Sequence, residues 1–291
     1  MRASTNAWFN GDLVDREAGA PSVASVNFHL GTSVFDGLMA YWNGDRYYIH
    51  RGREHLERFC KGSERMGLDF RWSVDEMLEG IAHLLGREPQ ETQYVRPIAY
   101  RRGPELWVTG AEGRPVDVSI FTVPTLRDID QPLTCQVSPT ERISSRSVPG
   151  HTKVSGVYVN SFIARRAAEK AGFDEALMLD REGRVAEASA ANVFFVDRSG
   201  LTTPPPNEDV FPGVTRSVIK ELADQIGVPC QERDIRRPEL GGFDGAFVCS
   251  TLMEIRPLST LGEHRLRTER MEPFVEILQS FRRLTHQREA N

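Results

Sequence analysis

Residues 153–196, KVSGVYVNSFIARRAAEKAGFDEALMLDREGRVAEASAANVFFV, decide the fold. Lys153 stands just ahead of a stretch of helical length, roughly Gly156 to Ala171, whose apolar positions include Val159, Phe162, Ile163 and Ala167. Beyond it the pattern alternates like two strands joined by a turn at Glu182-Gly183. A strand precedes the lysine in LTCQVSP, followed by the polar loop TERISSRSVPGHTK. Downstream, Gly213 opens a helix in PGVTRSVIKELADQIG, with Val218, Ile219, Leu222 and Ile226 on one side. The strand GAFVCSTL, an irregular EIRPLST and a closing helix MEPFVEILQSFRRL complete this half.

The first half repeats the mixture without repeating the sequence. Short apolar runs and turn signals fill Trp8 to Tyr48, and Asn43-Gly44 is a hairpin turn between two strands. HLERFCKGSERMGL and SVDEMLEGIAHLLGRE carry helical apolar spacing, and YVRPIAYRRG and VDVSIFTVP are strands. A polar, proline-containing stretch over 123–133 separates the halves. The expected fold class is therefore α+β in two domains: a smaller one over 1–122, and a larger one over 134–291 that carries Lys153.

Composition excludes several classes. With 40% hydrophobic and 26% charged residues the chain is an ordinary globular protein. Its 291 residues exceed the roughly 100–200 of one domain. A net charge of −5, without a basic stripe, argues against a nucleic-acid partner. No run approaches the roughly 20 apolar residues of a membrane span, and MRASTNAWFNGDLVD lacks the apolar core of a signal peptide, so the cytoplasm is expected. Cys60, Cys135, Cys230 and Cys249 lie far apart, which supports neither zinc nor a redox dithiol, and no metal is expected. His55, inside RGREHLERF, is read as a helix-packing residue.

Three features suggest chemistry. Lys153 follows a Pro-Gly loop and precedes the uncharged VSGVYV. Glu187 lies in a stretch otherwise too small and apolar to be a charged face, and a buried acid needs a partner. Pro212-Gly213-Val214-Thr215 starts a helix, where free N–H groups and the dipole favour an anion. Amine, acid and anion cradle are what pyridoxal phosphate demands. Arg51 and Thr251 could add a cation and a hydroxyl. Each also has an ordinary reading, as a surface lysine, a solvated turn, a plain helix cap, a surface arginine and a strand threonine.

The segments GTSVFDGLMAY, HRGREHLERF, YVRPIAY, the lysine stretch quoted above and FPGVTRSVIKELA, in that order, resemble class IV aminotransferases, especially branched-chain amino acid aminotransferases. The resemblance implies the two-domain fold-type IV architecture and pyridoxal 5'-phosphate as cofactor. It implies that Lys153 bonds the cofactor and shuttles the proton. Glu187 would face the pyridine nitrogen and Tyr158 the phenolic oxygen. Arg51, the backbone of Val214, Thr215 and Thr251 would hold the phosphate. Arg96 would help bind a substrate carboxylate, and Phe35 and Gly37 would line the pocket. A homodimer is implied, with an amino donor and a keto-acid acceptor as small-molecule partners.

Two departures bear on substrate. Leu30 stands where the family pattern H-Y-G-T-S-V-F has tyrosine, and Leu252 and Met253 replace two alanines after Thr251. The expected activity is thus amino transfer with an altered pocket. The alternatives are a lyase resembling aminodeoxychorismate lyase, a D-amino acid or amine transaminase, and a cofactor-free binding protein.

Overall fold

A computed structural model describes residues 4–103, 113–125, 131–148, 150–207 and 209–286. The chain divides into two compact units, residues 1–126 with 152–157, and residues 127–151 with 158–291.

The first unit contains β1 (Asn6–Phe9), β2 (Asp12–Asp15), α1 (Val26–Leu30), β3 (Val34–Phe35), β4 (Leu38–Trp42), β5 (Tyr47–His50), α2 (Gly52–Arg65), α3 (Val74–Leu85), β6 (Gln93–Arg101) and β7 (Val116–Pro124). Its antiparallel sheet runs β2-β1-β7-β6-β4-β5, with β3 on β6. The Asn43-Gly44 hairpin joins β4 to β5, where Asn43 Oδ1 accepts from the amides of Asp45 and Arg46 and Gly44 takes φ 103°. Ser73 and Glu76 form a capping box on α3. Leu56 and Phe59 of α2 and Met77, Ile81 and Leu84 of α3 pack with Leu38, Val95 and Ile120 of the sheet as one core.

The second unit contains β8 (Leu133–Val137), α4 (Tyr158–Lys170), β9 (Glu175–Leu179), β10 (Val185–Ala188), β11 (Asn192–Asp197), β12 (Gly200–Thr203), α5 (Val214–Ile226), β13 (Cys230–Glu232), β14 (Gly245–Ser250), β15 (Glu254–Leu261), β16 (His264–Arg265) and α6 (Glu272–His286). The strand order is β10-β9-β8-β15-β14-β11-β12-β13, with β16 on β15. Phe194 and Phe247 stack at 5.0 Å in the layer that receives α5 and α6.

Two expectations are corrected. The stretch after Lys153 yields three strands rather than two, because Ser189–Ala191 breaks β10 from β11. EIRPLST is not irregular: it forms β15, held between β14 and β8 despite Pro257. The helix after the lysine begins at Tyr158, behind a 3₁₀ turn over 155–157, and turns inward its small residues rather than its large ones. Ala164 and Ala168 are buried against Ala176 and Met178 of β9, whereas Val159, Phe162 and Ile163 are exposed. By the same division residues 152–157 group with the first unit. Of the linker expected over 123–133, residues 126–130 lie outside the described residues. Val123 and Pro124 still pair in β7, and Leu133 opens β8.

Candidate active site

In the first unit the backbone of the lysine segment is laced onto the turn and strand at 31–35. Phe35 N–H donates to Lys153 C=O at 3.0 Å, Ser155 N–H to Ser33 C=O at 2.9 Å and Gly156 N–H to Gly31 C=O at 2.8 Å. Val34 and Val154 form an antiparallel bridge, and the hydroxyls of Ser33 and Ser155 lie 2.8 Å apart. The approach requires glycine: a Cβ on Gly31, at φ 63°, would stand 2.7 Å from Gly156 Cα.

Phe35, Gly37 and Arg96 meet around Tyr94, which the sequence reading did not single out. Arg96 Nη2 donates to Tyr94 Oη at 2.8 Å, and its guanidinium lies 4.4 Å from the Phe35 ring centroid and 5.1 Å from that of Tyr94. A Cβ on Gly37 would stand 1.9 Å from Tyr94 Oη, so Gly37 makes room for that hydroxyl. Among the described residues no carboxylate pairs with Arg96, and its Nε is buried without a hydrogen-bond partner. Leu30, at the end of α1, is 44% exposed.

Arg51 caps the start of α2 in the left-handed region, φ 51°, and its Nη1 lies 2.6 Å from Glu54 Oε1. Behind it, burial and the charges of Arg51 and His55 push the His50 imidazole down to about 4.

In the second unit Glu187 sits on β10 beside a break in register with β9, and is 6% exposed. The expectation that this acid awaits a cation is met within the chain itself. Arg142 Nε lies 2.8 Å from Glu187 Oε1, with side chains 13% and 8% exposed. Oε2 accepts from Asn192 Nδ2 at 3.3 Å and from Phe211 N–H at 3.2 Å. Arg142 is itself positioned: its amide donates to Leu179 C=O at 2.8 Å, and Asn160 of α4 bonds Ile143 N–H and Glu141 C=O on either side of it.

Asn192 ties the acid to the start of α5. It also donates to Phe211 C=O at 2.8 Å, and Gly213 N–H donates to the same carbonyl at 2.9 Å. A Cβ on Gly213 would stand 2.2 Å from Asn192 Oδ1. Gly213 is the cap of α5 and has no side chain to offer, so no cap acceptor competes for the first N–H groups of the helix. Thr215 is buried in that first turn. Tyr158 begins α4, half-buried. Thr251 lies in the turn between β14 and β15, where Met253 N–H donates to Ser250 Oγ at 3.2 Å. Leu252 is half-buried in the same turn, and Met253 packs partly against the core of β8, β11 and β14.

The sequence thus named the amine, acid and helix terminus but missed Arg142, Asn192 and Tyr94. An amide in the apolar run AANVFFV was a usable signal for Asn192. Arg142, in a polar loop, gave none.

Residues 33–261 match the model of the amino-transferase class IV family. A probable branched-chain-amino-acid aminotransferase of Aquifex aeolicus is 32% identical over 280 residues, 94% of this chain and 90% of the relative. The crystal structure of the branched-chain aminotransferase of Thermoproteus uzoniensis with norvaline superposes with a TM-score of 0.93 at 31% identity, covering 99% of this chain and 97% of that one. That of the Thermobaculum terrenum branched-chain amino acid aminotransferase in its PLP-form gives 0.92 at 26% identity, covering 99% and 96%. The chain belongs to the class IV aminotransferases. It is a pyridoxal-phosphate enzyme of α+β, fold-type IV architecture, and within the family its transamination is of the branched-chain aminotransferase kind. Its donor set suits that cofactor: an amine, a buried carboxylate, hydroxyls at Thr215 and Thr251, and a helix terminus left open by glycine.

Proposed function

We propose that the enzyme bonds its cofactor at Lys153 and exchanges amino groups between small amino and keto acids, one of which presents a carboxylate to Arg96. The observation that carries the substrate part is the state of Arg96. A guanidinium held against two rings, with a buried Nε lacking a partner and no carboxylate beside it among the described residues, suits a carboxylate from outside.

The cofactor, when bound, supplies a sink for the electron pair left at the substrate's α-carbon. In this reading Lys153 Nζ would hold the cofactor and carry the proton taken from the substrate's α-carbon. The Glu187 carboxylate would hold positive charge at the ring nitrogen, and Tyr158 would serve the phenolic oxygen. The backbone N–H of Val214, the hydroxyls of Thr215 and Thr251 and the Arg51 guanidinium bind phosphate. Phe35, Gly37, Leu30, Leu252 and Met253 shape the pocket, and the last three set it apart from the branched-chain pattern.

The enzyme is further proposed to act in the cytoplasm as a homodimer, without nucleic-acid or membrane partners. Val159, Phe162 and Ile163, 59%, 64% and 51% exposed at i, i+3, i+4 on α4, supply an apolar stripe for a second copy to cover. No helix among the described residues is long and apolar enough to cross a membrane.

The test is kcat/KM over branched-chain, aromatic, acidic and D-amino donors, repeated with Arg96→Met. Glutamate should serve as donor, and Arg96→Met should raise KM for glutamate and 2-oxoglutarate roughly tenfold or more, about 1.4 kcal/mol. Leucine, isoleucine and valine outranking every other donor by a wide margin would refute the altered pocket. An unmoved KM would refute the role of Arg96.

A further inference from the structure

Asp36 follows the strand that holds the lysine segment, and it is 1% exposed. An acid there needs strong compensation, and α2 supplies it. Arg58 grips both carboxylate oxygens, Nε to Oδ2 and Nη2 to Oδ1, each at 2.8 Å. His55 Nδ1 lies 3.0 Å from Oδ1, and Gly37 N–H donates to that same oxygen at 2.7 Å. Burial alone would raise this carboxyl, but the charge of Arg58 and the hydrogen bonds from His55 and Arg58 hold it well below the usual carboxylate range. His55 is itself buried, and burial lowers its imidazole despite the neighbouring acid. Because the carboxylate only accepts, the His55–Asp36 bond needs the proton on Nδ1, a nitrogen that Arg58 Nη2 also approaches to 3.1 Å. The backbone is anchored too, Asp36 N–H donating to Pro97 C=O of β6 at 3.1 Å.

One residue before this cluster, Phe35 N–H holds the carbonyl of Lys153, and two before it Val34 bridges Val154. We infer that the buried Asp36–His55–Arg58 cluster is a positioning device for Lys153, fixing β3 and, through its backbone bonds to 153–156, the reach of the lysine amine. The inference rests on the reading that Lys153 bonds the cofactor. The cluster acts through the strand, and the Lys153 charge also bears on the His55 imidazole. A fixed strand restricts the amine to the arc its own side chain allows, and misplacement by about 1 Å can cost a hundredfold in rate.

The experiment begins with borohydride reduction and peptide mapping of the wild-type holoenzyme, which tests the lysine reading alone. Asp36→Asn and Arg58→Lys are then compared in two measurements. One is the affinity for pyridoxamine 5'-phosphate, which has no aldehyde and needs no bond to lysine. The other is the single-turnover rate of the first half-reaction. Asp36→Asn should slow the half-reaction about tenfold to a hundredfold while pyridoxamine 5'-phosphate affinity stays within about twofold. Arg58→Lys, which keeps the charge and loses the fork, should fall between. If Asp36→Asn does not fold, Arg58→Lys decides: a slower half-reaction at unchanged affinity supports the inference, and a wild-type rate overturns it. A parallel loss of rate and affinity in either variant would also overturn it, because the cluster would then be merely structural. Reduced cofactor on another lysine would sink the underlying reading, whereas mapping to Lys153 with wild-type rates in the variants would sink this inference only.

Discussion

Replacing Arg142 by glutamine tests what faces Glu187. The pair is 2.8 Å apart with both side chains largely withdrawn from water. Unit charges at about 4 Å interact by about 4 kcal/mol at an effective dielectric near 20. The amide of Asn192 and the N–H of Phe211 remain on the other oxygen and soften the loss. A net cost of about 3 kcal/mol is therefore expected for the cofactor-free protein, at the lower end for breaking a buried pair. At about 2–4 °C per kcal/mol for a chain of this order, its melting temperature should drop by roughly 6–12 °C. If Glu187 faces the ring nitrogen, as proposed, bound pyridoxal phosphate would give the acid a second cation, and the drop should shrink by half or more. Calorimetry of wild type and variant, each with and without cofactor, reads the difference. Equal drops in both forms would mean that Glu187 does not face the ring, and no drop in the cofactor-free form would mean that Arg142 does not stabilise the buried acid.

Three further outcomes are expected. Lys153→Ala should leave the fold intact while abolishing borohydride-trappable cofactor and nearly all turnover; trapped cofactor persisting in the variant would show that another lysine bonds it. Gly213→Ala keeps an allowed backbone, φ −69° and ψ 136°, but drives a methyl into Asn192 Oδ1. Equilibrium dialysis should show pyridoxal phosphate affinity reduced about tenfold, roughly 1.4 kcal/mol, and wild-type affinity would separate Asn192 from the cradle. The third concerns pH. His50 folds with its imidazole lowered from 6.5 to about 4, so the unfolded chain binds the extra proton between those values. Its contribution to stability is present above about 6.5 and is lost as pH falls toward 4. His50→Gln should flatten urea-measured stability across that window, and an unchanged pH slope would exclude this histidine as the source.

The parts of the molecule readable from sequence are those where one local rule decides. Asn43-Gly44 forces a hairpin, Ser73 and Glu76 cap a helix, and Gly213 opens one. What stayed hidden depends on partners distant in sequence. Pro257 would end an isolated strand, yet β14 and β8 hold it on both sides. The apolar residues of α4 pointed to its large side chains, but the sheet accepts the alanine face because β9 presents Ala176 and Met178 to it. The site divides in the same way. Lys153, Glu187 and Thr215 lie in motifs, whereas Arg142 reaches Glu187 from 45 positions away and only the fold shows that the acid already has a cation.

That cation changes how the acid works. Arg142 on one oxygen and two N–H donors on the other fix the place of the Glu187 carboxylate. Asn192 passes the arrangement to the residues before α5, since Phe211 gives its N–H to the acid and its carbonyl to both Asn192 and Gly213. Backbone strain follows the same distribution. Besides Asn10, whose place is a hairpin turn, the non-glycine residues at positive φ among those described are Arg51, His151 and Glu254. One is a phosphate candidate, one stands two residues before Lys153 and one closes the turn after Thr251. Each costs on the order of 1 kcal/mol or more, and such costs persist where the surroundings over-determine the backbone. The acid and the start of α5 are joined by one run of hydrogen bonds through Asn192 and Phe211.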